Sequence, residues 1–199
     1  SQEGDEGKGK VVEWLLEQAD VVIRFQGGHD AGNNLVSEGV TYKLRLLPSG
    51  IVRKNKISII GNGVVVDPWA LLEEIDEIKL KGVEISTNNF IISESANLIL
   101  PFHREMDEIR EDSAGKEKLG TTRRGIGPAY EDKVGRRSIR VMDLRSEKNL
   151  EQRLDSVLIH HNAIRKGLGK KIFEKQKLKL DLLKIAPKIL QFSQPVWLK

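Results

Sequence analysis

The beginning of the chain shows a helical pattern of apolar residues followed by a strand-like one. Between residues 11 and 19 apolar side chains recur every three to four positions, which predicts an amphipathic helix. They are Val11, Val12, Leu15, Leu16 and Ala19. Residues 21–25 (VVIRF) are mostly β-branched and aromatic, which predicts a buried strand. Trp14, on the helix, and Trp69, further on, are interpreted as core residues.

The same two periods alternate through the middle of the chain. Residues 57–60 predict a strand closed by the glycines of residues 61–63, and residues 64–66 continue in β-branched residues. Asp67 followed by Pro68 is typical of a helix start, and the helix is expected to end at Gly82. Its apolar face is formed by residues spaced three apart. They are Trp69, Leu72, Ile75 and Ile78.

The remaining elements complete an α/β pattern. Short strands are predicted at residues 83–85, 90–92 and 98–100, and helices at 103–111, 150–165 and, amphipathic and lysine-rich, at 166–184. Strands that alternate with helices favour an α/β fold with a mostly parallel central sheet and flanking helices. His160 and His161 are adjacent on a predicted helix and so point to different faces, which argues against a metal site built from that pair.

Composition narrows the class of protein. The 199 residues include no cysteine, which excludes disulfides and cysteine-ligated metals. The sequence has no apolar run near the roughly 20 residues of a membrane-spanning helix, and we expect a soluble cytoplasmic protein. The formal charge of +4 is compatible with a phosphorylated ligand as well as with nucleic acid.

Residues 4–10 (GDEGKGK), the first glycine segment, predict a phosphate-binding loop. Their glycines allow backbone N–H groups to surround an anion ahead of a helix N-terminus. The segment fits the first seven positions of G-x-x-x-x-G-K-[ST], but Val11 stands where the last position needs Ser or Thr. Asp5 and Glu6 are unfavourable beside a phosphate unless a metal or a proton transfer needs them. A surface turn is the alternative.

Two later segments carry similar chemistry. Residues 26–34 (QGGHDAGNN), the second glycine segment, follow a predicted strand at the sheet edge where α/β proteins bind ligands. A simple turn in which Asp30, Asn33 and Asn34 bond their own backbone is the alternative. Residues 120–137, the third glycine segment, combine threonine hydroxyls with arginines, which suits phosphate. Its alternative is a basic solvated loop that contacts RNA, although aromatic residues are only 5% of the chain.

Five stretches in this order resemble the adenylosuccinate synthetase family. They are SQEGDEGKGK at 1–10, RFQGGHDAG at 24–32, LLPSG at 46–50, IIGNGV at 59–64 and GTTRRGIGPAYEDKV at 120–134. The resemblance spans about residues 1–144 and is looser over residues 145–199. It implies a P-loop-like GTP-binding ligase fold that is incomplete at both ends. Residues 1–144 are the nucleotide- and IMP-binding part of one α/β domain, and 145–199 its mainly helical continuation.

The resemblance also implies a reaction, in which IMP and L-aspartate are joined to adenylosuccinate with GTP and Mg²⁺. A carboxylate takes the proton from N1 of IMP, the 6-oxygen attacks the γ-phosphate of GTP, and the amino group of aspartate displaces the 6-phosphate. Asp5 matches the base and a magnesium ligand, and the Gly32 carbonyl matches a second ligand of the ion. Arg136 matches an arginine that reaches IMP across a homodimer interface.

The remaining implied contacts fall on the same segments. The positions that match GTP ligands are Gly4, Asp5, Glu6, Gly7, Lys8, Gly9, Lys10, Gly32, Asn33 and Asn34. The positions that match IMP ligands are Asp5, Glu6, Gly7, Lys8, Asp30, Ala31, Gly32, Asn33, Thr122 and, from the partner, Arg136.

Several positions depart from the family pattern. Asn33 stands where the family has an acid histidine, and an amide cannot deliver a proton near neutral pH. Asp30 replaces an asparagine, Asn34 a threonine, Glu3 a tryptophan and Arg123 a glycine. The segments that recognise guanine and bind aspartate do not occur before residue 199. Two other interpretations therefore remain: an inactive nucleotide-binding or dimerisation module and, more distantly, a basic RNA-binding module.

Overall fold

A computed structural model describes residues 4–115 and 120–196, with side chains described from residue 11 onward. In chain order its helices and strands are α1 (Gly4–Gln18), β1 (Val21–Gly27), β2 (Asn33–Ser37), β3 (Val40–Leu44), β4 (Ile57–Val66), α2 (Pro68–Leu80), β5 (Phe90–Ser93), β6 (Asn97–Leu98), α3 (Pro101–Ser113), α4 (Ile126–Val134), α5 (Glu147–Gly167), α6 (Lys175–Leu190) and β7 (Ser193–Gln194).

The central sheet is parallel, as the sequence pattern predicted. Its strand order is β1-β4-β5-β7, and β6 pairs with the end of β4. Strands β2 and β3 form a separate antiparallel hairpin, which the sequence did not indicate. The described residues thus confirm an α/β fold with a mainly parallel sheet and flanking helices.

The prediction that a strand closes at residues 61–63 was wrong, because β4 runs without a break to Val66. The glycines serve a different purpose. A Cβ at Gly63 would lie 2.1 Å from the carbonyl oxygen of Phe25 on β1. The β1–β4 register shifts at this point, between Arg24 and Gln26. Glycine is therefore required here for close backbone approach at a bulge rather than for a turn.

Predictions of burial were wrong at the start of the chain. β1 pairs with β4 alone and forms one edge of the described sheet. Its residues Val21, Ile23 and Phe25 are exposed, Phe25 by 68%. Trp14 on α1 is 61% exposed, and Leu16 is the buried residue among the side chains described for that helix. Nothing in the described chain covers the outward faces of α1 and β1.

The main hydrophobic core lies elsewhere. It joins the buried faces of β4 and β5 to α2, α5 and α6, with Ile60, Phe90 and Leu154 all completely buried. Trp69 packs against this core and is half-buried. Since α5 and α6 contribute to the same core as the sheet, residues after 145 pack with the part that precedes them.

Two local predictions were wrong in this region. Residues 83–85 form no strand, and residues 168–174 separate α5 from α6 where one lysine-rich helix was expected. Two lysines of α6, Lys175 and Lys179, are paired with carboxylates rather than simply solvated. Lys175 contacts Asp155 at 2.7 Å, and Lys179, 8% exposed, contacts Glu147 at 3.1 Å.

The start of α2 is confirmed, and the helix organises a neighbouring turn. Asp67 Oδ1 accepts from the N–H groups of Trp69 at 3.1 Å and Ala70 at 3.0 Å, as an N-cap does. One turn further along, the buried carboxylate of Glu74 accepts the N–H groups of residues 45, 46 and 47. Because buried N–H groups need partners, this carboxylate fixes the path of the LLPSG stretch.

Candidate functional site

The second and third glycine segments lie together at the carboxyl ends of β1 and β4. The Tyr130 hydroxyl on α4 accepts from the Gly27 N–H at 2.9 Å and donates to the Gly63 carbonyl at 2.8 Å. Arg124 donates to the His29 carbonyl. Two segments about 100 residues apart in sequence are therefore joined at the sheet edge where α/β folds place ligands.

The second segment divides into a buried and an exposed part. Gly28 and His29 are buried, whereas every residue from Asp30 to Asn34 is exposed. Asn33 and Asn34 open strand β2, so they are held by pairing with β3 rather than lying in a free loop. The predicted ligand residues of this segment thus face solvent together, on a backbone fixed at both ends.

The first glycine segment does not form the predicted loop. Its backbone is the start of helix α1, which begins at Gly4. Glycine is tolerated in a helix at a cost of about 1 kcal/mol each relative to alanine, and extending a formed helix is easier than nucleating one. In a helix the amides beyond the first turn bond to preceding carbonyls, so just the first four N–H groups remain for an anion. The side chains of Asp5, Glu6, Lys8 and Lys10 lie outside the described part, and their roles stay predictions.

The third segment places its basic residues in different environments. Thr122 is exposed, which leaves its side chain accessible to a phosphate. Arg123, where the family has glycine, has φ of 55° and lies 3.6 Å from Asp112. This left-handed backbone accounts for the family's glycine better than a shortage of space does. Arg124 donates through one guanidinium nitrogen to the His29 carbonyl, which leaves its other N–H groups for a ligand.

Arg136 lies at the rim of a basic cleft. It is exposed and, like Arg123, has a left-handed backbone, with φ of 58°. The cleft has a volume of about 380 Å³ and four cationic residues in its lining, with no acidic ones. They are Lys133, Arg136, Arg140 and Arg153. This charge distribution suits an anion.

His29 is a buried residue that the sequence did not single out. It is 6% exposed, its Nε2 lies 3.8 Å from Asp67 Oδ2, and its Nδ1 has no hydrogen-bond partner in the described chain. Burial lowers the pKa of His29; Asp67 and Asp30 oppose this effect, and Arg124 and Arg104 add to it. His29 is therefore neutral at physiological pH and holds its loop through its backbone carbonyl and its packing.

A second buried polar group joins three helices. Asp132 Oδ2 lies 2.7 Å from Nε2 of His103 on α3 and 2.7 Å from Nε2 of His161 on α5. Arg137 donates to its other oxygen at 3.0 Å. Sequence reasoning missed this cluster because the three residues are far apart along the chain, and only the helical phase of His161 hinted at burial.

These three side chains have the composition of a metal site, but their hydrogen bonds favour a proton network. His103 Nδ1 accepts the Leu100 N–H at 2.9 Å, so in the neutral ring Nε2 carries the proton and donates it to Asp132. A metal at Nε2 would move that proton to Nδ1, against the Leu100 N–H. Two imidazoles also suit Mg²⁺ poorly, since it prefers oxygen ligands.

Electrostatics within the cluster follow from its burial. Burial by itself would raise the pKa of Asp132, but hydrogen bonds from His103 and His161 outweigh it and hold that pKa well below its usual range. Burial lowers the pKa of His103 in spite of the opposing effect of Asp132. The carboxylate therefore stays ionised and is compensated by three donors.

Comparisons with known proteins identify the same family that the glycine segments resemble. A family model described as adenylosuccinate synthetase matches residues 1–198. The solved structure of fully ligated adenylosuccinate synthetase from Plasmodium falciparum is 32% identical with a TM-score of 0.81, covering 98% of this chain and 45% of that one. Cyanophage S-2L succinoaminodeoxyadenylate synthetase bound to dGMP and dATP is 30% identical with a TM-score of 0.49, covering 68% and 36%. The chain thus spans less than half the length of either.

Proposed function

Because the chain belongs to the adenylosuccinate synthetase family, we propose that it forms the IMP- and GTP-phosphate-binding part of a ligase. The reaction consumes IMP, L-aspartate and GTP and yields adenylosuccinate, GDP and phosphate. The observation that carries this proposal is the junction of the second and third glycine segments at the sheet edge through Tyr130 and Arg124. It brings Asp30–Asn34 to the same edge of the sheet as the Thr122 segment.

Each segment has a role in this proposal. Asp5 accepts the N1 proton of IMP, which makes the 6-oxygen a nucleophile towards the γ-phosphate of GTP. Thr122 donates to the IMP phosphate, and the exposed backbone around Gly32 contacts both nucleotides. Lys8 and the amides of the first glycine segment hold the GTP phosphates, which requires that segment to leave the helical conformation of α1 beyond its first turn.

Mg²⁺ fits the donors proposed for it. Gly32 is exposed, and nothing lies within 4 Å of the place where its Cβ would be, so there is open space beside its backbone. A carbonyl oxygen and the Asp5 carboxylate are ligands that Mg²⁺ prefers. The ion, when bound, neutralises charge on the GTP phosphates.

Two further statements belong to the proposal. Arg136 is exposed beside a basic cleft, which is where an arginine shared between two copies would lie, so we propose a homodimer. The structure has no described helix with the length and hydropathy to cross a bilayer. We assign the protein to the cytoplasm from the biosynthetic role proposed for it.

Titration calorimetry with IMP and with Mg-GTP tests the binding, and adenylosuccinate formation followed by absorbance tests the reaction. Thr122→Ala should weaken IMP binding about 10-fold, because a charge-assisted hydrogen bond is lost. Thr41→Ala, an exposed threonine on β3, is the matched control and should bind IMP normally. Absence of IMP and GTP binding by the unaltered chain would contradict the proposal.

Binding without turnover is a second candidate, and Asn33 favours it. The amide can donate a hydrogen bond but cannot act as the acid that the family's histidine supplies, and loss of a general acid typically slows a reaction about 10² to 10⁴-fold. Asn33→His together with Asp30→Asn should raise adenylosuccinate formation wherever the unaltered chain forms any. Unchanged turnover in a variant that still binds both nucleotides would count against the loss of the acid as the cause.

A further inference from the structure

The backbone of residues 27–29 is held by three side chains, each making its own hydrogen bond. The Tyr130 hydroxyl accepts from the Gly27 N–H at 2.9 Å. Arg24 donates to the Gly28 carbonyl at 2.6 Å, and Arg124 donates to the His29 carbonyl. These polar groups are therefore already occupied, and the part of the segment left for a ligand begins at Asp30.

The Tyr130 hydroxyl forms hydrogen bonds to two strands at once. It has one proton and two lone pairs. The proton goes to the Gly63 carbonyl on β4 at 2.8 Å, and a lone pair receives the Gly27 N–H at the end of β1. Tyr130 thus ties the ends of two neighbouring strands to α4, at the bulge where their backbones come closest.

Packing reinforces the same junction. A Cβ on Gly28 would lie 2.7 Å from Cδ1 of Ile126, the first residue of α4, so the helix lies directly against this backbone. The ring of Tyr130 packs on a small cluster that contains Val65 and Ile99. The second and third glycine segments are consequently joined by both hydrogen bonds and packing, and Tyr130 takes part in each.

We propose that Tyr130 is a positioning residue for nucleotide binding: it touches no ligand and fixes the direction in which residues 30–34 leave the sheet. This inference rests on the proposed function, because it assumes that those residues bind IMP. Tyr130→Phe keeps the ring and its packing but removes both hydrogen bonds. Without them the exposed residues sample directions that do not match the Thr122 segment, and the affinity for IMP decreases.

The test uses the whole chain with [¹³Cζ]tyrosine, since the sequence contains two tyrosines and each gives one resonance. Addition of IMP should shift the Tyr130 resonance. It should shift the resonance of Tyr42 less, because the hydroxyl of that residue has no described hydrogen bond to this junction, although its strand pairs with the one that carries Asn33 and Asn34. In the free protein, Tyr130→Phe should speed hydrogen exchange at the Gly27 amide.

Affinity for IMP by calorimetry then separates positioning from stability. Tyr130→Phe should weaken binding about 10-fold, which corresponds to about 1.4 kcal/mol. Ile99→Val thins the same packing cluster and keeps every hydrogen bond, so it should leave the affinity unchanged. Equal IMP affinities in Tyr130→Phe and the unaltered chain, or equal losses in Tyr130→Phe and Ile99→Val, would overturn the positioning role alone.

The two proposals fail in distinguishable ways. If the unaltered chain binds no IMP, the proposed function and the positioning role both fall, while the exchange rate of the Gly27 amide still reports whether the hydrogen bond exists. If IMP binds and shifts neither tyrosine resonance, the positioning role falls and the proposed function stands.

Discussion

The α1–β1 region exposes apolar side chains, whereas the α3–α4–α5 region buries charged and polar ones. In the first, large apolar side chains of residues 11–25 face solvent. They are Val11, Val12, Trp14, Leu15, Val21, Ile23 and Phe25. In the second, charged and polar side chains are buried, and His103, Asp132 and His161 are each at most 3% exposed. The buried carboxylate of Asp132 has three hydrogen-bond donors, and Nδ1 of His161 is the ring nitrogen of this cluster that lacks a partner in the described chain. The apolar side chains on the surface have no described partner.

This contrast shows in which region the side chains find their partners within the described chain. In the α3–α4–α5 region the buried charge of Asp132 is compensated by donors from α3, from α5 and from Arg137, which follows α4, so the partners of this charge lie within the region. The α1–β1 region instead exposes seven large apolar side chains. We therefore expect substitutions in the buried network to lower the free energy of unfolding more than substitutions of the exposed side chains do.

The largest effect is expected from breaking the buried network. Asp132→Ala leaves two imidazoles and Arg137 without their acceptor in the interior, which should lower the free energy of unfolding by about 3–5 kcal/mol. Asp112→Ala is the matched control, because its side chain is 69% exposed and its contact with Arg123 is a surface ion pair. That change should cost under about 1 kcal/mol. Urea unfolding measures both, and similar losses would contradict the contrast.

The next effect separates the two faces of α1. Leu16→Ala removes a side chain that is 3% exposed and should cost about 2–3 kcal/mol. Trp14→Ala removes a larger side chain that is 61% exposed and should cost under about 0.5 kcal/mol. Thermal unfolding of the two variants compares them directly. A greater loss from Trp14→Ala would show that the outward face of α1 is covered.

Acid should weaken the α3–α4–α5 region. The pKa of Asp132 is lowered in the folded state, so its stabilisation is present above its ordinary pKa and is lost as the pH falls through that value and below. The lowered pKa of His103 acts in the same direction from about pH 6.5 downward, since protonation favours the unfolded chain. The free energy of unfolding should therefore fall in two stages, first through His103 and then, below about pH 4, through Asp132 as well. Asp132→Asn should flatten the stage below about pH 4, and an equally steep curve there would contradict the assignment.

The smallest effect is a gain. Arg123 has φ of 55°, a left-handed conformation that glycine adopts without strain. Arg123→Gly should therefore raise the free energy of unfolding by up to about 1 kcal/mol, because relief of strain exceeds the added freedom of the unfolded chain. Arg124 lies in the same segment but has no left-handed backbone. Arg124→Gly should therefore lower the free energy of unfolding, which calorimetry measures for both variants. A loss in both would show that the Asp112 contact outweighs the strain.

The sequence predicted most helices and strands because their signals are local. The Asp67 cap, the period of α2 and the β-branched runs of β4 and β5 depend on neighbours along the chain. Trp14 and Phe25 were predicted to be buried because of their residue type, and this was wrong. Burial depends on which other elements pack against the residue, and that is not a local property of the sequence. For the same reason the glycines of residues 61–63 were interpreted as a turn.

In the candidate site, too, contacts between residues far apart in the sequence were not predicted. Exposure of residues 30–34 and of Thr122 is consistent with the predicted ligand roles, which stay predictions. The residues that join the segments were not foreseen, because Tyr130, Gly27 and Gly63 meet only once the sheet has formed. His103, Asp132 and His161 are likewise dispersed in sequence, and a network of that kind leaves no short motif.

The pairing of β7 with β5 has a consequence for synthesis of the protein. Ile92 donates its N–H to the carbonyl of Phe192 at 2.8 Å, and Phe192 is 2% exposed in the main core. This contact spans about 100 residues, so on the ribosome it forms about 5–20 s after β5 has been made. During that interval β5 presents an open edge. The open edge of residues 90–93 can therefore pair with other chains until residues 193–194 have been made.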